Sequence, residues 1–250
     1  MPDYLGRLRA LGLGSLPGTA AEILDDEVRR VICPDKVTTD QWLEVHGAAH
    51  AAGLRSNVTI MFGHVEGPES WARHLLRARE QQRQSGGFTE FVPLPFVHME
   101  APMYLHGRAR PGPTLGETLL MHAVGRLALH PWISNVQASW VKLGPEGVAA
   151  ALATGVNDLG GTLMNESISR SAGAGWGQEL PPEAMDALIR GAGRSPRQRT
   201  TLYGEPDEEQ VRRSYGAAPL ADPLNPPVNE AGLKAPPRLV RPGLVAARAR

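Results

Sequence analysis

Cysteine, net charge and long apolar runs are the features this sequence has least of. The single cysteine, Cys33, excludes an internal disulfide and a metal cluster built on cysteines of this chain alone. The 26 basic and 26 acidic residues leave no basic excess of the kind expected of a nucleic-acid-binding protein. No apolar run approaches the roughly 20 residues that span a bilayer, and the first residues show no signal-peptide pattern. We therefore expect a cytoplasmic protein that binds neither nucleic acid nor membrane.

The composition divides the chain into two regions. A hydrophobic fraction of 42% over the 250 residues is too high for a wholly disordered protein. After Tyr215 there are no aromatic residues, and residues 216–250 contain seven prolines, which break both helices and strands. We predict a folded region over residues 1–215 and a disordered, proline-rich tail over residues 216–250.

Short apolar runs alternate with amphipathic stretches along the folded region. The runs predict five strands, over residues 13–16, 57–62, 88–92, 136–141 and 157–160. One intervening helix is predicted over residues 19–32. This alternation is typical of βα units around a parallel sheet, so the predicted fold class is α/β. Neither GxGxxG after the first strand nor GxxxxGK(S/T) is present, which argues against a nucleotide-binding doubly wound domain.

Polar residues are concentrated on and just after the predicted strands, where parallel α/β folds place their chemistry. A polar side chain buried without a partner costs roughly 1–3 kcal/mol, and a pocket for a polar ligand would supply the partners. The candidates for such a pocket are Glu22, His64, Glu66, Glu90, Gln137, Ser139, Asn157, Asp158, Glu166 and Arg170. Simpler roles also stay open: Glu22 would suit the first turn of a helix, and Gln137 and Ser139 could bond to neighbouring strands.

Two His-x-Glu pairs raise the alternative of a metal site. His64 and Glu66 follow the second predicted strand, and His98 and Glu100 follow the third. In an extended segment both members of each pair can point to one side and bind a divalent ion. A metal-dependent barrel hydrolase is therefore a second functional hypothesis. Cys33 precedes a proline at a predicted helix end and is interpreted as a structural thiol, not as a metal ligand.

Several segments of the folded region resemble a known family. The similarity covers about residues 4–203, in order and with few gaps, and resides in the runs GLGSLPGTAAEILDDEVRRVICPDKVTTDQW, MFGHVE, GGFTEFVPLPFVH, NVQASWVKLG, NDLGGTLMNESISRSAG and RSPRQRTTLY. These runs resemble the radical SAM family of deazaflavin synthesis, in particular the tyrosine-using half of FO synthase. The carboxyl-terminal half of the fused actinobacterial form is the more similar branch. The radical SAM enzymes of the menaquinone futalosine pathway are more distant relatives.

The resemblance implies part of a (β/α)₈ radical SAM TIM barrel, about its last five βα units. In that family a CxxxCxxC loop holds a 4Fe–4S cluster that cleaves S-adenosylmethionine. The resulting radical abstracts hydrogen from tyrosine, and a hydroxybenzyl fragment is joined to 5-amino-6-ribitylaminouracil. A separate half of FO synthase closes the deazaflavin ring, which gives the precursor of coenzyme F-420.

The chain departs from the family at the cluster, because CxxxCxxC is absent. We therefore expect an amino-terminally truncated enzyme that needs the missing half of the barrel, or a non-catalytic remnant. By their position in the family's runs, Glu22, His64 and Glu66 are expected to face S-adenosylmethionine or the amino acid group of tyrosine. Gln137, Ser139 and Asn157 are expected near the uracil or ribityl group. Arg170 is a candidate carboxylate partner.

Overall fold

A short parallel sheet organises the chain, in a computed structural model that describes residues 2–164 and 166–220. The strands are β1 (Ser15–Leu16), β2 (Arg55–Phe62) and β3 (Phe88–Pro95), in the order β1-β2-β3. β1 pairs with β2 through Ser15 and Arg55, and β2 pairs with β3 from Ser56 opposite Phe88 to Phe62 opposite Pro95. All pairings are parallel, which confirms the α/β class.

Helices make up most of the remaining described structure. In chain order they are α1 (Pro2–Ala10), α2 (Asp26–Ile32), α3 (Thr39–Ala51), α4 (Pro68–Ser85), α5 (Pro102–Leu105), α6 (Leu115–Leu129), α7 (Trp140–Leu152), α8 (Ile168–Ser171), α9 (Pro182–Gly191) and α10 (Glu208–Tyr215). Local sequence sets several ends. Thr38 and Thr114 begin α3 and α6 with capping boxes, in which the side chain accepts from the third helical residue. Gly86 ends α4 in the left-handed conformation, with φ of 62°.

The two faces of β2 and β3 meet different surroundings. Val58, Ile60 and Phe62 are fully buried in the main core. Asn57 and Thr59 alternate with them and are half-buried on the opposite face. We call this second face the inner face of the sheet. The alternation of buried and half-buried residues means that one face packs on helices while the other is left for polar groups.

The fourth and fifth predicted strands are wrong as continuous strands. Residues 136–138 and 157–158 meet the sheet through single parallel bridges, Phe91 with Val136 and Gln137 with Asp158. Helix α7 begins at Trp140, so the extended segment is too short to build a ladder. The segments still continue the sheet's order, because Gln137 N–H donates to Phe91 O and Ala138 N–H donates to Asp158 O.

The helix predicted over residues 19–32 begins only at Asp26. Ala20 and Glu22 have positive φ angles of 64° and 43°, which are incompatible with a right-handed helix. The buried Arg29 guanidinium donates to the carbonyl oxygens of Ala20 and Ala21, and thereby holds residues 20–21 as an irregular loop. An amphipathic pattern does not show that a side chain will bond to these carbonyl oxygens. The pattern therefore wrongly extended the predicted helix back to residue 19.

The carboxyl-terminal part of the described chain adds α9, α10 and the loop between them. Helix α10 contains few apolar residues, so hydrophobic periodicity does not predict it. The predicted tail begins at residue 216; its residues 216–220 are irregular, and residues 221–250 lie outside the described residues. Within residues 2–164 and 166–220, no helix has both the length and the apolarity needed to cross a membrane.

Candidate functional site

Six polar residues from distant parts of the chain meet on the inner face of the sheet. We call this group the inner polar cluster; it consists of Asn57, Glu90, Gln137, Asp158, Arg199 and Tyr203. The first two lie on β2 and β3, the next two on the bridged segments, and the last two on the loop between α9 and α10. Three of the sequence-predicted candidates, Glu90, Gln137 and Asp158, are thus brought together.

Glu90 is the hub of the inner polar cluster. Its Oε2 accepts hydrogen bonds from the Tyr203 hydroxyl at 2.6 Å and from Gln137 Nε2 at 3.1 Å. Arg199 Nη2 approaches the same oxygen at 3.4 Å, and Asn57 Nδ2 donates to Oε1 at 3.3 Å. Glu90 is only 8% exposed, so these donors replace the water that the carboxylate loses on folding.

Asp158 and Arg199 form the charged pair beside Glu90. Arg199 Nε donates to Asp158 Oδ2, and its Nη2 donates to Oδ1 at 3.0 Å, which makes the pair bidentate. The guanidinium also lies over the Tyr203 ring, 4.0 Å from its centroid. Burial lowers the pKa of Arg199, but the hydrogen bond and charge of Asp158 outweigh it, so that the pKa is raised.

Tyr203 acts in the inner polar cluster as a hydrogen-bond donor. Burial raises the pKa of its hydroxyl, and the charge of Asp158 and the hydrogen bond to Glu90 raise it further. The hydroxyl therefore stays protonated around neutral pH, and the cluster can orient groups but does not offer Tyr203 as a base. A cavity of 820 Å³ opens beside the cluster and is lined by Asp158, Arg199, Tyr203 and residues of α9 and α10.

His64 and Glu66 lie buried in the turn that follows β2. The Glu66 carboxylate accepts from the backbone N–H of Gly63 and, at 2.9 Å, from that of His64. Trp71 Nε1 donates to Glu66 at 2.9 Å, and His64 Nδ1 is 2.9 Å from Oε2. Burial raises the pKa of Glu66, but these partners outweigh it and lower the pKa. The pair holds the turn together, with the carboxylate directed to its own loop and to α4.

Glu22, Ser139 and Asn157 are not brought into the inner polar cluster. Glu22 forms an ion pair with Lys36 at 2.7 Å in the loop before α2. Ser139 is the half-buried residue before α7. Asn157 is exposed, and its Oδ1 accepts from Val136 N–H at 2.9 Å and from Arg126. Of the three residues expected near the uracil or ribityl group, the structure places Gln137 in the inner polar cluster, and Ser139 and Asn157 outside it.

Glu166 and Arg170 lie together after the bridged segment at residues 157–158. Glu166 Oε1 accepts from Ser169 N–H at 2.9 Å, and Arg170 Nε donates to the Glu166 carbonyl oxygen at 2.6 Å. Lys142, in the first turn of α7, donates from Nζ to Ser169 Oγ at 3.1 Å. We call Lys142, Glu166 and Ser169 the mouth group, because they follow the carboxyl ends of the bridged segments.

The described residues do not fit a 4Fe–4S cluster. Cys33 is buried at the end of α2, and burial raises the pKa of its thiol, whereas a cluster ligand must be a thiolate. In residues 2–164 and 166–220, no group of three or more His, Cys, Asp and Glu side chains is placed to hold a metal ion. The four-residue metal site of the hydrolase hypothesis, His64, Glu66, His98 and Glu100, is therefore not assembled there.

Sequence reasoning missed Arg199, Tyr203 and Asn57 as members of the site. The run RSPRQRTTLY contains the first two, and it was part of the family resemblance, but no residue within it was singled out. Tyr203 is 113 residues from Glu90 along the chain. The sequence feature that could have revealed them is an arginine and a tyrosine in a non-helical run after the fifth predicted strand.

Comparison with known proteins connects this arrangement to a family. A model of the CofH/MqnC C-terminal region matches residues 85–211. The chain is 53% identical over 201 residues to an FO synthase from Mycobacterium leprae, which covers 80% of this chain and 23% of that protein. It is 52% identical over 201 residues to a 5-amino-6-(D-ribitylamino)uracil–L-tyrosine 4-hydroxyphenyl transferase from Methanopyrus kandleri, covering 80% of this chain and 54% of that protein.

The fold has a solved counterpart at low sequence identity. HydG, a maturase of the [FeFe]-hydrogenase, superposes with a TM-score of 0.60 at 15% identity, over 86% of this chain and 45% of that one. The chain thus spans about half, or less, of the length of the proteins it matches. The family match extends over about half of the chain and contains Glu90, Gln137, Asp158, Arg199 and Tyr203. The chain belongs to the CofH/MqnC C-terminal region family.

Proposed function

We propose that this chain contributes to a radical SAM transferase of coenzyme F-420 biosynthesis. The reaction joins a tyrosine-derived hydroxybenzyl group to 5-amino-6-ribitylaminouracil. The observation that carries the proposal is the 52% identity over 201 residues to a transferase named for these two substrates. The inner polar cluster supports it, because five of its six residues lie inside the matched family region.

In this proposal the chain forms the last part of a (β/α)₈ barrel. The parallel order β1-β2-β3, continued by the bridged segments, supports this reading, since each successive segment lies beside the previous one. The superposition on HydG over 45% of that chain is consistent with it. Loops that follow the strands then line the substrate space, with Glu22, Ser139, Glu166 and Arg170 among their residues.

The cofactors of the proposed reaction are a 4Fe–4S cluster and S-adenosylmethionine, which would supply the radical. Since the residues described here do not fit the cluster, its ligands and the remaining strands would come from another polypeptide segment. The chain's own residues would bind and orient tyrosine and 5-amino-6-ribitylaminouracil and exclude water from the radical. The ring-closing half of FO synthase would use the product, and the cytoplasm is the proposed location.

Co-expression in a host that makes no deazaflavin tests the proposal. The chain is produced with the ring-closing half and with the portion of the Methanopyrus transferase that the chain does not match. We expect deazaflavin, detected by fluorescence and mass, only when all three parts are present. The complete Methanopyrus transferase is the positive control. No deazaflavin from the three parts, with all of them soluble, would favour a non-catalytic remnant.

A further inference from the structure

The mouth group has more hydrogen-bonding capacity than its own residues use. Lys142 Nζ has three donors, and the hydroxyl of Ser169 is its hydrogen-bond acceptor within residues 2–164 and 166–220. Glu166 Oε1 accepts from Ser169 N–H, whereas the buried Oε2 has no hydrogen-bond partner among the described residues. Ser169 therefore contacts both an ammonium group with unused donors and a carboxylate with an unused acceptor oxygen.

Ser169 bonds to both charged groups. Its hydroxyl accepts from Lys142 and its backbone N–H donates to Glu166. Lys142 and Glu166 do not pair with each other in any of the ion pairs seen among residues 2–164 and 166–220. Burial lowers the pKa of Lys142, and the charge of Glu166 opposes this. A ligand that neutralises both groups would remove the cost of leaving them partly buried and unpaired.

Hydrogen bonds to backbone carbonyl oxygens keep the mouth group in place without a ligand. Arg170 Nε donates to Glu166 O at 2.6 Å, and Glu166 N–H donates to Gln178 O at 3.0 Å. Trp140 Nε1 donates to Gly161 O at 2.9 Å, which ties the start of α7 to the loop after residues 157–158. Since both charged residues are positioned by the scaffold, they form a preorganised pair.

We propose that the mouth group binds the head group of a zwitterionic α-amino acid, with Lys142 on its carboxylate and Glu166 Oε2 on its ammonium. Charge-assisted hydrogen bonds of both signs are the recognition that such a head group requires. The inference rests on the proposed function, in which L-tyrosine and S-adenosylmethionine both present this head group. Lys142 and Ser169 were not among the site residues expected from the sequence.

Binding of matched ligands to the purified chain tests this subsite. Calorimetric titrations use L-tyrosine, tyramine, which lacks the carboxylate, and 3-(4-hydroxyphenyl)propionate, which lacks the ammonium. We expect Lys142→Met to weaken L-tyrosine binding about tenfold or more and to leave tyramine unchanged. Glu166→Gln should weaken L-tyrosine and tyramine but leave the propionate unchanged. Glu80→Gln, an exposed carboxylate on α4, is the matched control.

A parallel titration with S-adenosylmethionine identifies the source of the head group. If the variants weaken S-adenosylmethionine in place of L-tyrosine, the subsite stands and belongs to that ligand. Equal losses for all three tyrosine-related ligands, or no binding of either amino acid, would overturn the proposal. If the variants lose binding of the expected ligands but the co-expressed parts make no deazaflavin, the proposed function alone is contradicted. If deazaflavin is made but the variants bind their ligands as the unchanged chain does, the subsite alone is contradicted.

Discussion

The two faces of the β2–β3 sheet are built from alternate residues of the same strands but have opposite chemistry. The face toward α3 and α4 carries Val58, Ile60 and Phe62, all fully buried. The inner face carries Asn57 and Glu90, which are linked to the carboxyl-terminal loop by Arg199 and Tyr203. The first face holds the fold together by apolar burial, whereas the second commits paired charges to a site.

Removing a ring from the helix-packed face is expected to have the largest effect. Phe62 is fully buried and contacts Trp71 edge-on, with ring centroids 5.6 Å apart. Phe62→Ala should lower the free energy of unfolding by about 3–5 kcal/mol, because it leaves a cavity. Met61→Ala, on the half-buried inner face, should cost about 1 kcal/mol. Urea unfolding of both variants checks this, and equal losses would remove the distinction between the faces.

Acid should weaken the helix-packed face through its buried histidines. Burial lowers the pKa of His46 and of His50 to about 4, and both bond to the hydroxyl of Ser56. The unfolded chain takes up these protons near pH 6.5, so stability is complete above that value and is lost as the pH falls toward 4. Between pH 6.5 and 4.5 each histidine contributes a loss of about 2 kcal/mol, so we expect about 4 kcal/mol from the two together.

Urea unfolding at several pH values measures this loss. His50→Gln removes one titrating ring and should flatten the profile below pH 6.5. A profile as steep as that of the unchanged chain would assign the acid sensitivity to other groups.

A smaller loss is expected from the inner face. Arg199→Met removes the cation between Asp158 and Glu90 and should cost about 1–2 kcal/mol, because its side chain is 25% exposed and water replaces part of the interaction. Asp158→Asn in the Arg199→Met background should recover part of this loss, since it removes a charge left without its partner. Additive losses in this double-mutant cycle would show that the two residues are not coupled.

Local sequence signals mark several helix ends. The Thr38 and Thr114 caps, Pro68 at the start of α4 and Gly86 at its end are readable from neighbouring residues alone. The signals failed where a distant side chain decided the backbone, as Arg29 does for the loop at residues 20–21. They also failed at residues 136–141, where an apolar run continues from an extended segment into α7.

The site was predicted only in part, because local patterns do not show which side chains contact one another. Glu90, Gln137 and Asp158 were recognisable as polar residues on otherwise apolar runs. His64 and Glu66 stood out equally, but the structure uses them to hold the turn after β2. A short His-x-Glu pattern carries no information on whether its side chains face a ligand or their own backbone.

The sequence by itself determined the α/β alternation, the helix caps and the positions of polar residues along the strands, because these depend on contacts within a few residues. Only the tertiary structure decided which polar residues meet. Tyr203 reaches Glu90 across 113 residues, and Lys142 and Glu166 converge on Ser169 from separate segments. Such meetings depend on the packing of whole elements, which local patterns do not encode.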